Sequence, residues 1–261
     1  MIVPSAPGSG SRRVLLATLG IDSLDALAVA LAAQGEQVAV LAEAAEPTSP
    51  EEPEETVRIP PGIGTVRRFK WQCATREATQ QSVEMLLAQA GEPTQVVVHA
   101  LPSAALAGGA VVEHDDAGWH AACGAAMLQM LHLLQVLAPA LKRRRASIVF
   151  VGASLSLVGA ERLAGLVTLL ESQRGLMKSL ARQWGRHGVT CNWVALEARE
   201  LWPGFADFKL PMRLEATAVA LGHRPNAGTD LAGVLDYLAS PAGRAVTGST
   251  LCLDGGEWMV P

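Results

Sequence analysis

The feature that most constrains this chain is an alternation of two periods. The run "RRVLLATLG" is a short β run, "DSLDALAVALAAQG" follows with helical spacing and a stopping Gly35, and "QVAVLAE" is again a β run. A β run, a 3.6-period segment and a second β run form the unit of a parallel sheet, because parallel neighbours need a crossover of a dozen residues or more. The pattern continues through "TVRRFKW", "TQVVVHA", "ASIVFVGA", "VTCNWVAL" and "GSTLCLDGG", with helical stretches between most of them. Seven such strands predict a single-domain α/β fold, a doubly wound parallel seven-stranded sheet with helices on both faces.

The chain has 261 residues, of which 49% are hydrophobic and 18% charged, as a packed globule requires. Residues 1–12 read as a flexible N-terminal tail and 13–261 as the domain. Within it, 44–62 is a loop rich in proline and glutamate, too polar to pack. A net charge of −4 speaks against nucleic acid or an anionic membrane as partner. Cys73, Cys123, Cys191 and Cys252 are scattered and read as reduced residues of a cytoplasmic protein. The greasiest run, "AACGAAMLQMLHLLQVLAPAL", carries Gln129, His132, Gln135 and Pro139, so it reads as a buried helix and not a membrane span. This helix and the one through Arg162–Trp184 look apolar nearly all round. The sheet covers one side of each, so a second subunit is expected on the other, against Leu134 and Leu176 among others.

Three stretches carry a resemblance: "IVFVGAS", "GLMKSLARQWGRHGVTCNWVA" and "DLAGVLDYLASPAGRAVTGSTLCLDGGEWM". They resemble the short-chain dehydrogenase/reductase family, and within it the 3-oxoacyl-(acyl carrier protein) reductases. The resemblance runs over nearly the whole length, and it implies a Rossmann-like domain. It also implies a nicotinamide cofactor held on a glycine turn after the first strand, where bare backbone approaches the pyrophosphate at a helix N-terminus. The reaction implied is hydride reduction, with a tyrosine as acid, a lysine that lowers its pKa, a serine on the substrate oxygen and an asparagine ordering a water.

The chain departs from that pattern at each chemical position. Counting back from Gly35, the three glycine positions fall on Thr18, Asp22 and Leu24, although Gly20 remains in the turn. Asp22 puts a carboxylate where phosphate oxygens would sit, a repulsion of about 1 kcal/mol in water and more in a drier cleft. The asparagine-rich loop after the fourth strand is replaced by "HALP", His99 to Pro102. Glu43 suits a ribose diol, but the acidic run after it disfavours the extra phosphate of NADP. The serine position is Ala153, the asparagine position Ala126, the tyrosine position Leu166 and the lysine position Leu170. Tyr237, the one tyrosine, lies in a late helix and reads as a packing residue. The expectation is therefore no catalytic residue of the family, no cofactor and no metal.

His99, Glu161 and Glu171 are the remaining candidates for polar groups in the cleft, since a histidine beside acids is the raw material of acid–base work. "KRRR", Lys142 to Arg145, is a basic knot that suits either solvent or an acidic carrier protein. The expected function is a catalytically degenerate member of the family, a non-catalytic subunit that self-associates or assembles with an active reductase relative and stabilises or regulates it. The alternative is a redox-neutral enzyme or a small-molecule-binding protein using the vacated cleft, and after these an NAD(P)H-dependent 3-oxoacyl reductase. A subunit calls for a filled cleft, and an enzyme for an open pocket with convergent polar groups.

Overall fold

The computed structural model describes residues 11–20, 24–44, 64–202, 204–205 and 219–259. Asp22, nearly all of the expected tail and all of the acidic loop after Ala44 lie outside the described residues. The strands are β1 (Arg13–Gly20), β2 (Gln37–Glu43), β3 (Thr65–Trp71), β4 (Gln95–Leu101), β5 (Ser147–Ala153), β6 (Thr190–Leu196) and β7 (Thr250–Leu253). All seven form one sheet in the order β3-β2-β1-β4-β5-β6-β7, and every pairing is parallel. The doubly wound sheet expected from the alternation is the one observed. β4, β5 and β6 are buried at every position, as central strands covered on both faces must be.

Among the described residues the helices are α1 (Asp25–Ala33), α2 (Arg76–Ala90), α3 (Asp116–Trp119), α4 (Ala125–Arg144), α5 (Ala164–Trp184), α6 (Ala198–Leu201) and α7 (Thr229–Ala239). Register assigns them to faces. Gln95 pairs with Ser147, and its Nε2 donates to Leu235 O of α7 at 2.9 Å. Gly152 has the opposite parity on β5, and a Cβ there would lie 2.9 Å from Leu170 Cδ2 of α5. So α7 and its neighbour α1 cover one face, while α2, α4 and α5 run side by side on the other.

The ends of the helices follow local chemistry. Thr75 caps α2 by accepting from Ala78 N at 3.1 Å, and Gly91, at φ +77°, ends it. A π-turn, His120–Gly124, joins α3 to α4, so Asp116–Arg144 runs as 29 continuous residues. By length and composition alone that stretch could cross a membrane. Here Met130, Leu133, Leu134, Leu137 and Leu141 lie in the protein core.

The two long helices are less uniform than their composition suggests. On α5 the buried residues include Leu166, Leu170, Gln173, Met177, Leu180 and Trp184, which recur every three or four positions along one face. Its outer face shows Ser172, Gly175, Lys178, Ser179 and Arg182 to solvent. Leu134, expected on an outer face, is 2% exposed and belongs to the core, and Leu176 is half-buried against it. Large apolar side chains reach the surface on α3 and α4 instead, at Trp119, Leu128 (47% exposed) and Leu131 (39% exposed).

Candidate functional site

In an open α/β sheet ligands bind beyond the C-terminal ends of the strands, near the point where strand order reverses. Here that point lies between β1 and β4. Thr18 does not sit in the turn after β1. It lies inside the strand, 2% exposed, paired with Ala42 on one side and His99 on the other. The turn begins at Gly20, whose φ is +78°. A Cβ on Gly20 would lie 2.3 Å from Leu101 O, so glycine is required there by the close approach of β4. The Gly20 amide, which in a phosphate-binding turn would be left for the ligand, donates to Glu43 Oε2 at 2.9 Å. The other Glu43 oxygen accepts from Cys73 Sγ at 3.5 Å. Burial first, and then the charge of Glu43, pushes the Cys73 thiol up to about 12, so it stays a protonated donor. Leu24, just before α1, is 1% exposed in the core.

The positions that correspond to serine, tyrosine and lysine do come together. Ala153 at the end of β5 meets Leu166 and Leu170, which lie one turn apart on α5, with His99, Leu201 and Trp202 closing the ring. The space left between them is about 10 Å³. That is at the lower limit for a single water, which needs roughly 10–15 Å³. Leu170 is wedged in place: Gly152 leaves room for its Cδ2 and for Trp193, whose Cζ2 would lie 2.2 Å from a Cβ at position 152. Trp193 in turn stacks on Phe150, with centroids 6.4 Å apart and rings 11° from parallel. The site is a piece of hydrophobic core. Burying a leucine side chain contributes about 1.5–3 kcal/mol, so these residues serve packing.

Of the three cleft candidates only His99 lines this space. It is 1% exposed, and its Nδ1 lies 3.0 Å from Val151 O. A carbonyl only accepts, so the proton of that bond sits on Nδ1. Glu171 is half-buried elsewhere on α5, accepting from Ser156 Oγ at 3.0 Å and from Arg174 Nε at 2.8 Å. Glu161 is exposed. The three do not converge. Ala126 is buried in α4 and does not line the space, nor does Ser154, whose buried Oγ has no hydrogen-bond partner among the described residues. Tyr237 is 46% exposed on α7. No cluster of three or more metal-ligating side chains occurs among the described residues.

A polar cluster beside the site was not anticipated. Glu197, fully buried at the end of β6, accepts from Arg199 Nη1 at 2.7 Å and from the Arg199 amide at 3.0 Å, with Arg224 Nε 3.7 Å away. Glu257 Oε1 lies 3.7 Å from Arg199 Nη1. Burial, then the charge of Glu197, raises the Glu257 carboxyl from 4.5 to about 7, against the pull of Arg199. Asp254 accepts from the amides of Gly256 and Trp258 at 3.0 and 3.2 Å and so shapes the turn after β7. The signal in the sequence is the pair "LEARE" and "DGGEW", far apart in the chain and joined only by the β6–β7 pairing.

The fold and the place of this site define a Rossmann-like α/β protein. A family model described as Enoyl-(Acyl carrier protein) reductase matches residues 25–257. The chain belongs to the short-chain dehydrogenase/reductase family. It is 29% identical over 139 residues to "Protein MoaE" of Klebsiella aerogenes, which covers 47% of this chain and 51% of that protein. It is 31% identical over 132 residues to the 3-oxoacyl-[acyl-carrier-protein] reductase FabG of Vibrio cholerae, covering 48% and 51%. The matched part thus spans about half the length of these relatives. Among solved structures, the apo short chain oxidoreductase of Pseudomonas aeruginosa PAO1, described as containing an atypical catalytic center, has a TM-score of 0.72 at 19% identity over 95% of this chain and 98% of that one. A blue fluorescent protein from a metagenomic library, in complex with NADPH, has a TM-score of 0.69 at 21% identity over 95% and 98%.

Proposed function

We propose that this chain is a catalytically degenerate short-chain dehydrogenase/reductase, a non-catalytic subunit that assembles with an active relative of the 3-oxoacyl-(acyl carrier protein) reductase kind and stabilises or regulates it. The observation that carries the reading is the filled site. Ala153, Leu166 and Leu170 close on a space of about 10 Å³. No group among Ala153, Leu166, Leu170 and Ala126 can give or take a proton. These side chains do not fit a nicotinamide ring, and Glu43 on the Gly20 amide does not fit a pyrophosphate beside it. A filled, apolar site also speaks against the vacated cleft as a pocket for other chemistry.

The surface suited to a partner is the one where α3 and α4 expose Trp119, Leu128 and Leu131. Co-expression with the 3-oxoacyl-(acyl carrier protein) reductases of the same cell, followed by native mass spectrometry, tests the assembly. A defined complex containing this chain and a reductase is expected. A chain that stays monomeric and leaves every such reductase unbound would end the proposal, and steady oxidation of NADPH by the chain alone would end it more directly.

A further inference from the structure

The opposite end of the sheet holds a second cavity, of about 320 Å³, and its lining is unlike that of the filled site. Arg12 and Arg13 lead into β1, Arg144 ends α4 and Arg244 follows α7; all four line it, together with Thr94 and Ser147. No carboxylate is among the lining residues. The concentration of guanidiniums is not a reflection of bulk composition, since the chain as a whole carries −4.

Among the described residues only one of the four arginines is neutralised. Arg12 pairs with Glu36 at 2.8 Å and with Asp236. Glu92, the acid near the start of β4, is taken by Arg143. The side chains of Arg13 and Arg144 have no hydrogen bond or ion pair among the described residues. Arg244 donates to backbone carbonyls alone, those of Gly188 and Arg145, and burial, then the charge of Arg145, lowers its pKa. The basic knot "KRRR" is thereby divided. Lys142 lies 5.3 Å above the Trp184 ring, Arg143 holds Glu92, Arg145 turns the chain at φ +50°, and Arg144 remains at the cavity.

A second observation is independent of charge. Ser147 lines the cavity, is 1% exposed, and its Oγ has no hydrogen-bond partner among the described residues. A buried hydroxyl left unpaired is costly, and such a group calls for a ligand or a water. The C-termini of α4 and α7 bring about half a negative charge each. Three uncompensated guanidiniums outweigh them.

We propose that this cavity is an anion site that takes the phosphate group of a small phosphorylated metabolite, held by Arg13, Arg144 and Arg244 with Ser147 donating its hydroxyl. A phosphate monoester carries nearly two charges and three acceptor oxygens, and it matches several guanidinium forks at once, as a single carboxylate does not. The volume far exceeds that of the filled site and leaves room for a phosphate and a short organic tail. The site is separated from the filled one by the run of β5 from Ser147 to Ala153, roughly 20 Å. It stands whether or not the chain is a non-catalytic subunit.

Calorimetry at constant ionic strength, with inorganic phosphate and glycerol 3-phosphate as probes, tests the proposal. The intact chain is expected to bind one equivalent with a dissociation constant of about 1 mM or tighter. Arg13→Gln and Arg144→Gln should each weaken it by about tenfold or more, because each removes a charge-assisted contact. Ser147→Ala should weaken binding a few-fold and also raise the melting temperature of the free protein by about 2–4 °C, since it removes an unpaired hydroxyl. Arg186→Gln, at an exposed residue that does not line the cavity, should change nothing. The proposal is overturned if neither probe gives heat up to about 20 mM, or if Arg186→Gln weakens binding as much as Arg144→Gln. Binding to phosphatidylglycerol vesicles without binding to soluble phosphate would overturn it too, by making the lipid surface the ligand.

Discussion

Restoring the family's lysine at position 170 is a sharp test of the filled site. Leu170 is 1% exposed and lies in contact distance of the space that Gly152 leaves open. Around it the space is about 10 Å³ and, apart from His99, its named walls are apolar or aromatic. A lysine there has no carboxylate among the lining residues to pair with. An unfolded lysine titrates near 10.4; if burial drives the folded value below 7, holding the amine neutral at pH 7 costs roughly 4–5 kcal/mol. Lost packing adds about 1–3 kcal/mol. The total, about 5–8 kcal/mol, rivals the whole stability of an ordinary domain. The sign with pH follows from proton counts. Between the folded and unfolded pKa values the unfolded chain holds more protons, so the stability of Leu170→Lys should rise as pH increases from 7 to 10, relative to the parent. Urea denaturation followed by circular dichroism at pH 7, 8.5 and 10 measures it. Leu170→Met, which conserves volume, should cost under about 1.5 kcal/mol and serves as control. A loss under about 1 kcal/mol for Leu170→Lys, independent of pH, would mean that the amine reaches water or a partner, and that the site is open as in a working reductase.

Other predictions rest on separate contacts. Glu257, raised from 4.5 to about 7, keeps its proton in the folded state over a range where the unfolded chain has lost it, so stability falls as pH rises through that window. Glu257→Gln should stabilise the protein by at most about 3 kcal/mol above pH 7 and by almost nothing at pH 4, and equal effects at both pH values would refute the cause given. Gly152→Ala should cost about 3 kcal/mol or more, because its Cβ would lie 2.2 Å from Trp193, and a neutral result in a melting experiment would show that the tryptophan is free to move. Charge at Leu128 and Leu131 should break association while leaving the subunit folded, whereas charge at Leu134, 2% exposed, should unfold it; light scattering and circular dichroism together separate the two.

The strands were legible because a parallel sheet covered on both faces writes continuous apolar runs, and "TQVVVHA", "ASIVFVGA" and "VTCNWVAL" became β4, β5 and β6 with small shifts at their ends. The two long helices were harder. Their composition suggested two apolar faces, but spacing places Leu134 inward and Ser172, Lys178 and Ser179 outward, a distinction that composition does not carry. The meeting of Ala153, Leu166 and Leu170 was legible only through the family resemblance. That they close the space, and that His99 alone of the candidate polar groups joins them, depends on packing against Gly152, Leu201 and Trp202. The acid cluster at Glu197 and the arginine-lined cavity escaped for a common reason. Each gathers residues from segments far apart in sequence, brought together only by strand order.

Titration calorimetry of the intact chain with NADH and with NADPH bears most directly on the central claim. With Glu43 on the Gly20 amide and leucines at 166 and 170, no binding tighter than about 100 μM is expected for either nucleotide. A dissociation constant below about 100 μM, some 5–6 kcal/mol of binding, would contradict it and return the chain to the working reductases.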